Sequence, residues 1–362
     1  MTHPAVTVLI DTYNHERFLE DAIVSVLEQD FPAAETEIVV VDDGSTDRTP
    51  EIARKFAPRV RYLRKENGGQ ASAFNFGIPQ TRGEIISFLD GDDWWKKNKL
   101  MRVMEVFEKN PAVGVVGHGI VQIENATGKN SALSPEFPGY FNLQTSEGAR
   151  TFRNYMCFLG TSRVAIRRNV LEKILPIPET LFIEADEFMS ALAVAHSAAF
   201  LLPDSLTFYR LHEENYYQFR GKDDGKLRRK KVVLDYLAKS LQERLAEAGV
   251  SSEAIGIIVD PVRLEASRMR LQLDGGTPWE TYKVEKASVK LSYKSAKSVY
   301  KVYKELSLLL ALAMPPRRFY QLREWYAANN LRRYRSWLGE PVPAQAIKEQ
   351  ALPAHPEASR KV

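Results

Sequence analysis

Between Glu84 and Leu100 the chain reads EIISFLDGDDWWKKNKL, an apolar run ending in three carboxylates, Asp90, Asp92 and Asp93, and then two tryptophans. Like charges this close repel one another, so the arrangement calls for a cation. In an extended segment residues i and i+2 face the same way, which would turn Asp90 and Asp92 toward one ligand. Gly91 between them lets the backbone bend with no Cβ in the way. Hard oxygen ligands at an open site suit Mg²⁺ or Mn²⁺, with phosphate oxygens completing the shell. An isolated Asp-Gly-Asp is an ordinary solvated turn. The strand feeding this one is what points to a site, and the spacing is not that of an EF-hand loop.

Other clusters offer complementary chemistry. In VVVDDGSTD, Asp42 and Asp43 end an apolar run and can accept from a base N–H or from ribose hydroxyls. Ser45, Thr46 and Asp47 behind them equally make a helix N-cap. Asp11-Thr12-Tyr13-Asn14 places an aromatic ring where it could stack on a nucleobase or lie partly buried. FIEADEFMSAL supplies Glu184, Asp186 and Glu187 at a helix start, where acids suit a general base and also simply favour a helix N-terminus.

The elements that must position these residues alternate regularly. Ala5–Ile10, Thr36–Val41, VRYLRK and EIISFL read as strands; HERFLEDAIVSVLEQD, STDRTPEIARKFA and GGQASAFNFGIPQ read as the helices between them. Strands separated by single helices predict a mostly parallel, doubly wound sheet, and ligands bind such sheets at the carboxyl ends of the strands. Every polar cluster falls there. Further on, KLMRVMEVFEKN reads as a helix, VGVVGHGIVQI as a strand, FLGTSRVAIRRNVLEKI as a strand running into a helix, IEADEFMSALAVAHSA as a helix and AAFLLPDSLTFYRLHEEN as extended. From Lys222 the pattern is helical and basic, broken at Asp274–Glu280 and at MPPRR.

Composition narrows the class. The 362 residues suggest about two domains, with enough apolar content for a sizeable core. A net charge of +4 conceals an asymmetry: residues 1–219 carry a net −8 and the remainder +12. The single cysteine, Cys157, allows no internal disulfide and reads as a packed core residue in a reducing compartment. The N-terminus has no secretory pattern, and the apolar run Leu308–Met314 is too short to span a bilayer. A phosphate loop, a dinucleotide fingerprint and zinc spacing are all missing. The expected divisions are a catalytic unit at 1–219, a basic helical region at 220–340 and a disordered tail at 341–362.

Taken in order and spacing, VTVLIDTYNHERFLEDAIVSVLEQ, EIVVVDDGSTDRT, ENGGQASAFNFGI and GEIISFLDGDDWW resemble family 2 glycosyltransferases of the GT-A fold, over about Ala5 to Asn215. The resemblance implies an α/β nucleotide-diphospho-sugar transferase fold and inverting transfer from a nucleotide-diphosphate sugar, most often a UDP-sugar, to a hydroxyl acceptor. The acceptor would be a saccharide or lipid-linked saccharide in cell-surface polysaccharide or glycoconjugate synthesis. Carried over by motif, Thr12, Tyr13, Asn14, Asp42, Asp43, Asn67, Gly68, Gln70, Asp90 and Asp92 would line the nucleotide. Asp92 and Asp93 would hold Mn²⁺ or Mg²⁺. Trp94, Arg210 and His212 would stand on the diphosphate or acceptor side, a structural strand-end role suiting Arg210 and His212 nearly as well. Counting back from YRLHEEN favours Asp186 as the base, with Glu187 the alternative. The chain departs from the family at Asp11, where a small or neutral residue is usual, and at Ala185-Asp186, where the family has Glu-Asp. A sugar nucleotidyltransferase would need a glycine-rich basic loop that DTYNHERF lacks. A non-catalytic sugar-nucleotide-binding protein of the same fold is the other alternative.

In the basic region Lys283, Lys286, Lys290, Lys294, Lys297, Lys301 and Lys304 recur at steps of three and four. On one continuous helix they fall on one face, with Tyr282, Val289, Leu306 and Leu310 opposite. Such a stripe suits either solvent or anionic lipid head groups, in an enzyme that is cytoplasmic and peripheral at the inner face of the membrane. Nucleic acid is not expected, because no nucleic-acid module accompanies the charge.

Overall fold

The computed structural model describes residues 4–124, 130–136, 139–212, 223–292 and 298–328. Four parallel strands begin the chain: β1 (Val6–Thr12), β2 (Thr36–Asp42), β3 (Arg61–Arg64) and β4 (Ile85–Asp90). Helices α1 (Leu19–Leu27), α2 (Thr49–Arg54) and α3 (Gln70–Gly77) connect them, as the alternation predicts. Next come the two-residue β5 (Trp94–Trp95), α4 (Lys99–Lys109), the long β6 (Val113–Glu124), β7 (Asn130–Leu133), β8 (Gly139–Phe141), α5 (Ser146–Tyr155), β9 (Ala165–Arg167) and α6 (Arg168–Ile174). Helix α7 (Ala185–His196) and β10 (Ala198–Leu211) complete a ten-stranded sheet of order β3-β2-β1-β4-β9-β6-β10-β5, with β7 beside β6 and β8 beside β10. The parallel β6–β10 pair is joined to the first four strands through antiparallel β9. The sheet is therefore mixed, parallel through β1–β4 and between β6 and β10, and antiparallel where β5, β7, β8 and β9 join it.

Alternation along the central strands gives each sheet face its own core. Val6, Val8, Ile10, Ile38, Val40, Ile85 and Leu89 pack with α1, α2 and α4. Leu9, Val39, Val41, Ile86 and Phe88 pack with α3, α5, α6 and α7. Helices α8 (Asp224–Glu247) and α9 (Ser252–Asp274) stack outside α7 and α5, and Val233, Leu237, Leu241, Ile258 and Val262 join the same core. The expected boundary at residue 219 lies outside the described residues, as does the expected tail at 341–362.

Helices α10 (Pro278–Ser292), α11 (Ser298–Ala313) and α12 (Pro316–Ala328) follow the two predicted breaks. Because α10 and α11 pack against each other, the lysines do not share one continuous helix. Lys283, Lys286 and Lys290 are exposed on α10, Lys301 and Lys304 belong to α11, and Lys294 and Lys297 lie outside the described residues. Leu306 and Leu310, expected on the packed side, are exposed. Among the described residues no helix is long and apolar enough to cross a membrane. Cys157 is half-buried at the edge of the core rather than inside it.

Candidate active site

Asp90 closes β4, and the next three residues form a turn in which the Asp93 N–H donates to the Asp90 carbonyl at 3.1 Å. The turn, rather than i, i+2 alternation, gathers the acids: one oxygen from each of Asp90, Asp92 and Asp93 lies within 4.8 Å of the others. A Cβ on Gly91 would sit 2.6 Å from Thr12 Oγ1 and 2.9 Å from His15 Nδ1, so glycine is required there by close approach.

Asp11 lies beside Asp90 in the β1–β4 register. By alternation both side chains share the face of Leu9 and Phe88, the face that α7 covers. Helix α7 begins at Ala185, after Glu184 in a left-handed conformation at φ 63°, so Asp186 stands in its first turn. Its charge reaches Asp11 and Asp90.

Electrostatics records the crowding. Burial first, then the charges of Asp92 and Asp186, push Asp11 up to about 8. Burial, then Asp11, Asp92, Asp93 and Asp186, hold Asp90 well above the usual carboxylate range. Burial and then Asp92 raise Asp93 to about 8, and its Oδ2 is buried with no hydrogen-bond partner. Burial also works against charge on Asp92, but the His212 hydrogen bond and the fields of His15 and His212 outweigh it and lower that carboxyl. An unpartnered buried oxygen inside a carboxylate triad is what a divalent cation fits. The triad suits Mg²⁺ or Mn²⁺, and its all-oxygen donor set is the hard kind those ions prefer.

Of the two base candidates, Asp186 faces this cluster. Its carboxyl is raised by burial, with Arg163 pulling the other way. Glu187 faces Arg153, 3.5 Å away, and burial lifts it to about 7. Glu184 lies 3.7 Å from Lys230 of α8 and is raised to about 8 by burial and by both neighbouring acids.

Around the triad, the end of β10 supplies two grips. The Arg210 N–H donates to Asp93 Oδ1 at 2.9 Å, its Nε to the Asp92 carbonyl at 2.9 Å, and its Nη2 to Asp21 Oδ2 at 2.8 Å. The guanidinium lies 4.4 Å from the Trp94 ring centre and 4.8 Å from that of Phe18. His212 Nε2 is 3.0 Å from Asp92 Oδ2, and its ring packs on Phe18. Arg210 is thus committed to the acidic turn itself. The two tryptophans divide their work: Trp94 stacks on Phe208, while Trp95 is buried and donates from Nε1 to the Ser162 carbonyl at 3.2 Å.

On the other side of the edge, Asp42 has no exposure. It accepts from Ser45 N and Tyr62 Oη at 2.8 and 2.5 Å, on the sheet face opposite Asp11. Its carboxylate is thus engaged by these partners on the face opposite Asp11. Asp43 accepts from Lys65 Nζ at 2.8 Å and from the Gly68 and Gly69 N–H groups at 3.0 and 2.7 Å, which shapes the Asn67–Gln70 loop. Asn67 donates to the Asp43 carbonyl, and Gln70 to Thr161 Oγ1 at 3.0 Å. Thr12 Oγ1 meets His15. Asn14 sits at φ 56°, its N–H donating to Ser45 Oγ at 2.9 Å and its Oδ1 accepting from the Thr46 N–H. Tyr13 is half-buried. Of the expected cap residues only Asp47 serves α2, accepting from the Thr49 N–H at 2.9 Å, because Ser45 is taken up by Asn14.

Three supporting residues carry no local signal. Ser162 accepts from the Asp90 N–H at 3.1 Å and donates to its Oδ2 at 3.2 Å. Lys99 is fully buried, 3.2 Å from the Trp95 ring centre, and burial holds its ammonium well below the usual lysine range. Asp21 anchors Arg210 from α1. Each lies far along the chain from at least one partner, where spacing rules do not reach.

Comparison with known proteins agrees with this geometry. The family model described as Glycosyl transferase family 2 matches residues 7–175. A Nostoc protein named uncharacterized glycosyltransferase alr2836 is 38% identical over 226 residues, 58% of this chain and 66% of its own. The Bacillus subtilis protein named uncharacterized glycosyltransferase EpsJ is 40% identical over 119 residues, 32% of this chain and 34% of its own. The match thus spans just under two thirds of one relative and a third of the other. Staphylococcus aureus TarS 1-349, solved in complex with UDP-GlcNAc, superposes with a TM-score of 0.52 at 19% identity, over 88% of this chain and 91% of that one, and shares the fold.

Proposed function

Because the chain belongs to glycosyl transferase family 2 through residues 7–175, we propose that it is a metal-dependent inverting enzyme that moves a sugar from a nucleotide-diphosphate donor to an acceptor hydroxyl. The observation that carries this reading is the convergence of the Asp90-Asp92-Asp93 turn and Asp186 on one sheet face, at the carboxyl ends of parallel strands. UDP-sugars are the first donors to test, TarS of the same fold having been solved with UDP-GlcNAc. The acceptor in this reading is a saccharide or lipid-linked saccharide, in the synthesis of a cell-surface polysaccharide or glycoconjugate. The enzyme would be cytoplasmic and peripheral at the inner face of the membrane.

In this reading Thr12, Tyr13, Asn14, Asn67, Gly68 and Gln70 line the nucleoside, with Asp43 bracing their loop. Asp92 and Asp93 hold Mn²⁺ or Mg²⁺, and Asp90 stands beside them toward the ribose. Bound there, the ion neutralises charge growing on the leaving diphosphate. Asp186 accepts the proton of the acceptor hydroxyl as that oxygen attacks the anomeric carbon from the face opposite the departing diphosphate. Arg210 and His212 hold the acidic turn in register, and Trp94 borders it.

Release of UDP from a panel of UDP-sugars in the presence of Mn²⁺ tests the proposal. Asp92→Ala and Asp186→Asn should each lower it by about a hundredfold or more, the range general-base removal reaches. Wild type and both variants sharing one background rate would sink the reading.

A further inference from the structure

Helix α11 is apolar on more than one side. Leu308 and Ala311 are buried, Ala311 in a small core with Leu271, Phe319 and Tyr320. Leu306, Leu309, Leu310 and Leu312 turn outward at 56, 63, 46 and 40% exposure. The charged residues of α11, Lys301, Lys304 and Glu305, stand in its first half, so Leu306–Ala313 is apolar apart from Ser307 and, among the described residues, the protein covers it on one side. Helix α12 repeats the theme: Arg318, Leu322 and Trp325 recur at steps of four and three, hence on one face, and all three are exposed.

We propose that the outward leucines of α11, with Leu322 and Trp325 of α12, dock on an anionic phospholipid surface. Charge selects that occupant. Residues 278–328 contain ten Lys and Arg against four Glu and no Asp. A second copy of the chain would bring the same positive charge to the contact, whereas an anionic bilayer offers both the apolar layer and the opposite sign. Leucines beside arginine, with tryptophan at the margin, are the side chains an interfacial helix presents to head groups and acyl chains. Lys283, Lys286 and Lys290 are exposed on α10, which packs against α11. This deepens the membrane location named above, and its apolar contact is the leucine face rather than the lysine stripe.

Sedimentation of the full chain with vesicles tests it, and needs neither donor nor acceptor, so its failure is separate from any failure of sugar transfer. The chain should bind phosphatidylglycerol–phosphatidylethanolamine vesicles and bind phosphatidylcholine vesicles much more weakly. The double variant Leu309→Ser/Leu310→Ser should bind about a hundredfold more weakly, about tenfold for each leucine, the low end of what burying such a side chain contributes. Its melting temperature should fall by no more than a few degrees, since Leu309 and Leu310 are largely outside the core at 63 and 46% exposure. No vesicle binding by wild type, equal binding to both vesicle types, or a double variant that binds as wild type does would each overturn the proposal. Sedimentation velocity covers the remaining occupant, because a wild-type dimer that the double variant dissociates would assign the leucines to a second copy.

Discussion

Arg210→Lys isolates the grip on the acidic turn. The substitution keeps the charge and the backbone N–H that serves Asp93, and removes the planar fork. Arg210 is 7% exposed, and its side chain makes two directed hydrogen bonds, to the Asp92 carbonyl and to Asp21, between two aromatic faces. A lysine ammonium lacks the planar group that reaches both acceptors while stacking. A hydrogen bond involving a charged group contributes about 1.5–3 kcal/mol. The bond to Asp21 is discounted because Asp21 is about a third exposed, leaving an expected loss of about 2–3 kcal/mol. Groups that orient metal ligands typically change metal affinity by about 10–100-fold when removed. Titrating Mn²⁺ into metal-free protein by calorimetry should therefore show affinity weakened by about that factor, with a lower melting temperature. An Arg210→Lys variant with wild-type Mn²⁺ affinity and wild-type melting temperature would refute the reasoning.

Other outcomes follow from the same geometry. Glu187→Gln should leave UDP release within about tenfold of wild type while Asp186→Asn does not, which a steady-state comparison at saturating Mn²⁺ reads directly. Gly91→Ala should weaken Mn²⁺ binding by driving a methyl into Thr12 and His15, whereas Gly139→Ala, with nothing within 4 Å, should not. Glu37 accepts from Thr7 Oγ1 and the Arg82 N–H, both at 2.7 Å; burial opposes its charge, but these bonds and Arg82 Nε lower its carboxyl below 4.5. Glu37→Gln should thus destabilise the protein by about 1–3 kcal/mol at neutral pH. A depressed folded value means the contribution is complete above 4.5 and lost as pH falls below it. The gap in melting temperature between wild type and variant should then narrow in acid, and a gap independent of pH would contradict the assignment.

Much of the framework was legible because apolar runs in β1, β2 and β4 stop abruptly at acids, and a parallel sheet gathers such ends at one edge. The helix bearing Asp186 was equally plain from its period. What escaped notice has specific causes. Strand β5 is two residues long, below any periodic signal, and β9 is three. Lys99 begins an amphipathic helix, where nothing in the sequence marks it for burial, yet its ammonium lies against the Trp95 ring and the Ser162 carbonyl. Asp42 and Asp43 look alike in sequence, but alternation sends the first beneath the sheet and leaves the second at the turn. The lysine stripe failed as a single face because it assumed one helix where the fold makes two that pack together.

The bridge from Lys230 to Glu184 also bears on how this protein can be cut. Lys230 of α8 reaches both Glu184 and, at 3.4 Å, Glu265 of α9, directly before the helix that bears Asp186. Helices α8 and α9, which follow α7 and β10, therefore act as a lintel over the acid end of α7. A shortened version ending at residue 219 would keep every motif by which the family is recognised. It would also leave Val233, Leu237, Leu241 and their partners missing from the core, and remove Lys230 from beside Glu184. Dissection for crystallography or engineering would then do better to cut after α9 than after the last catalytic motif.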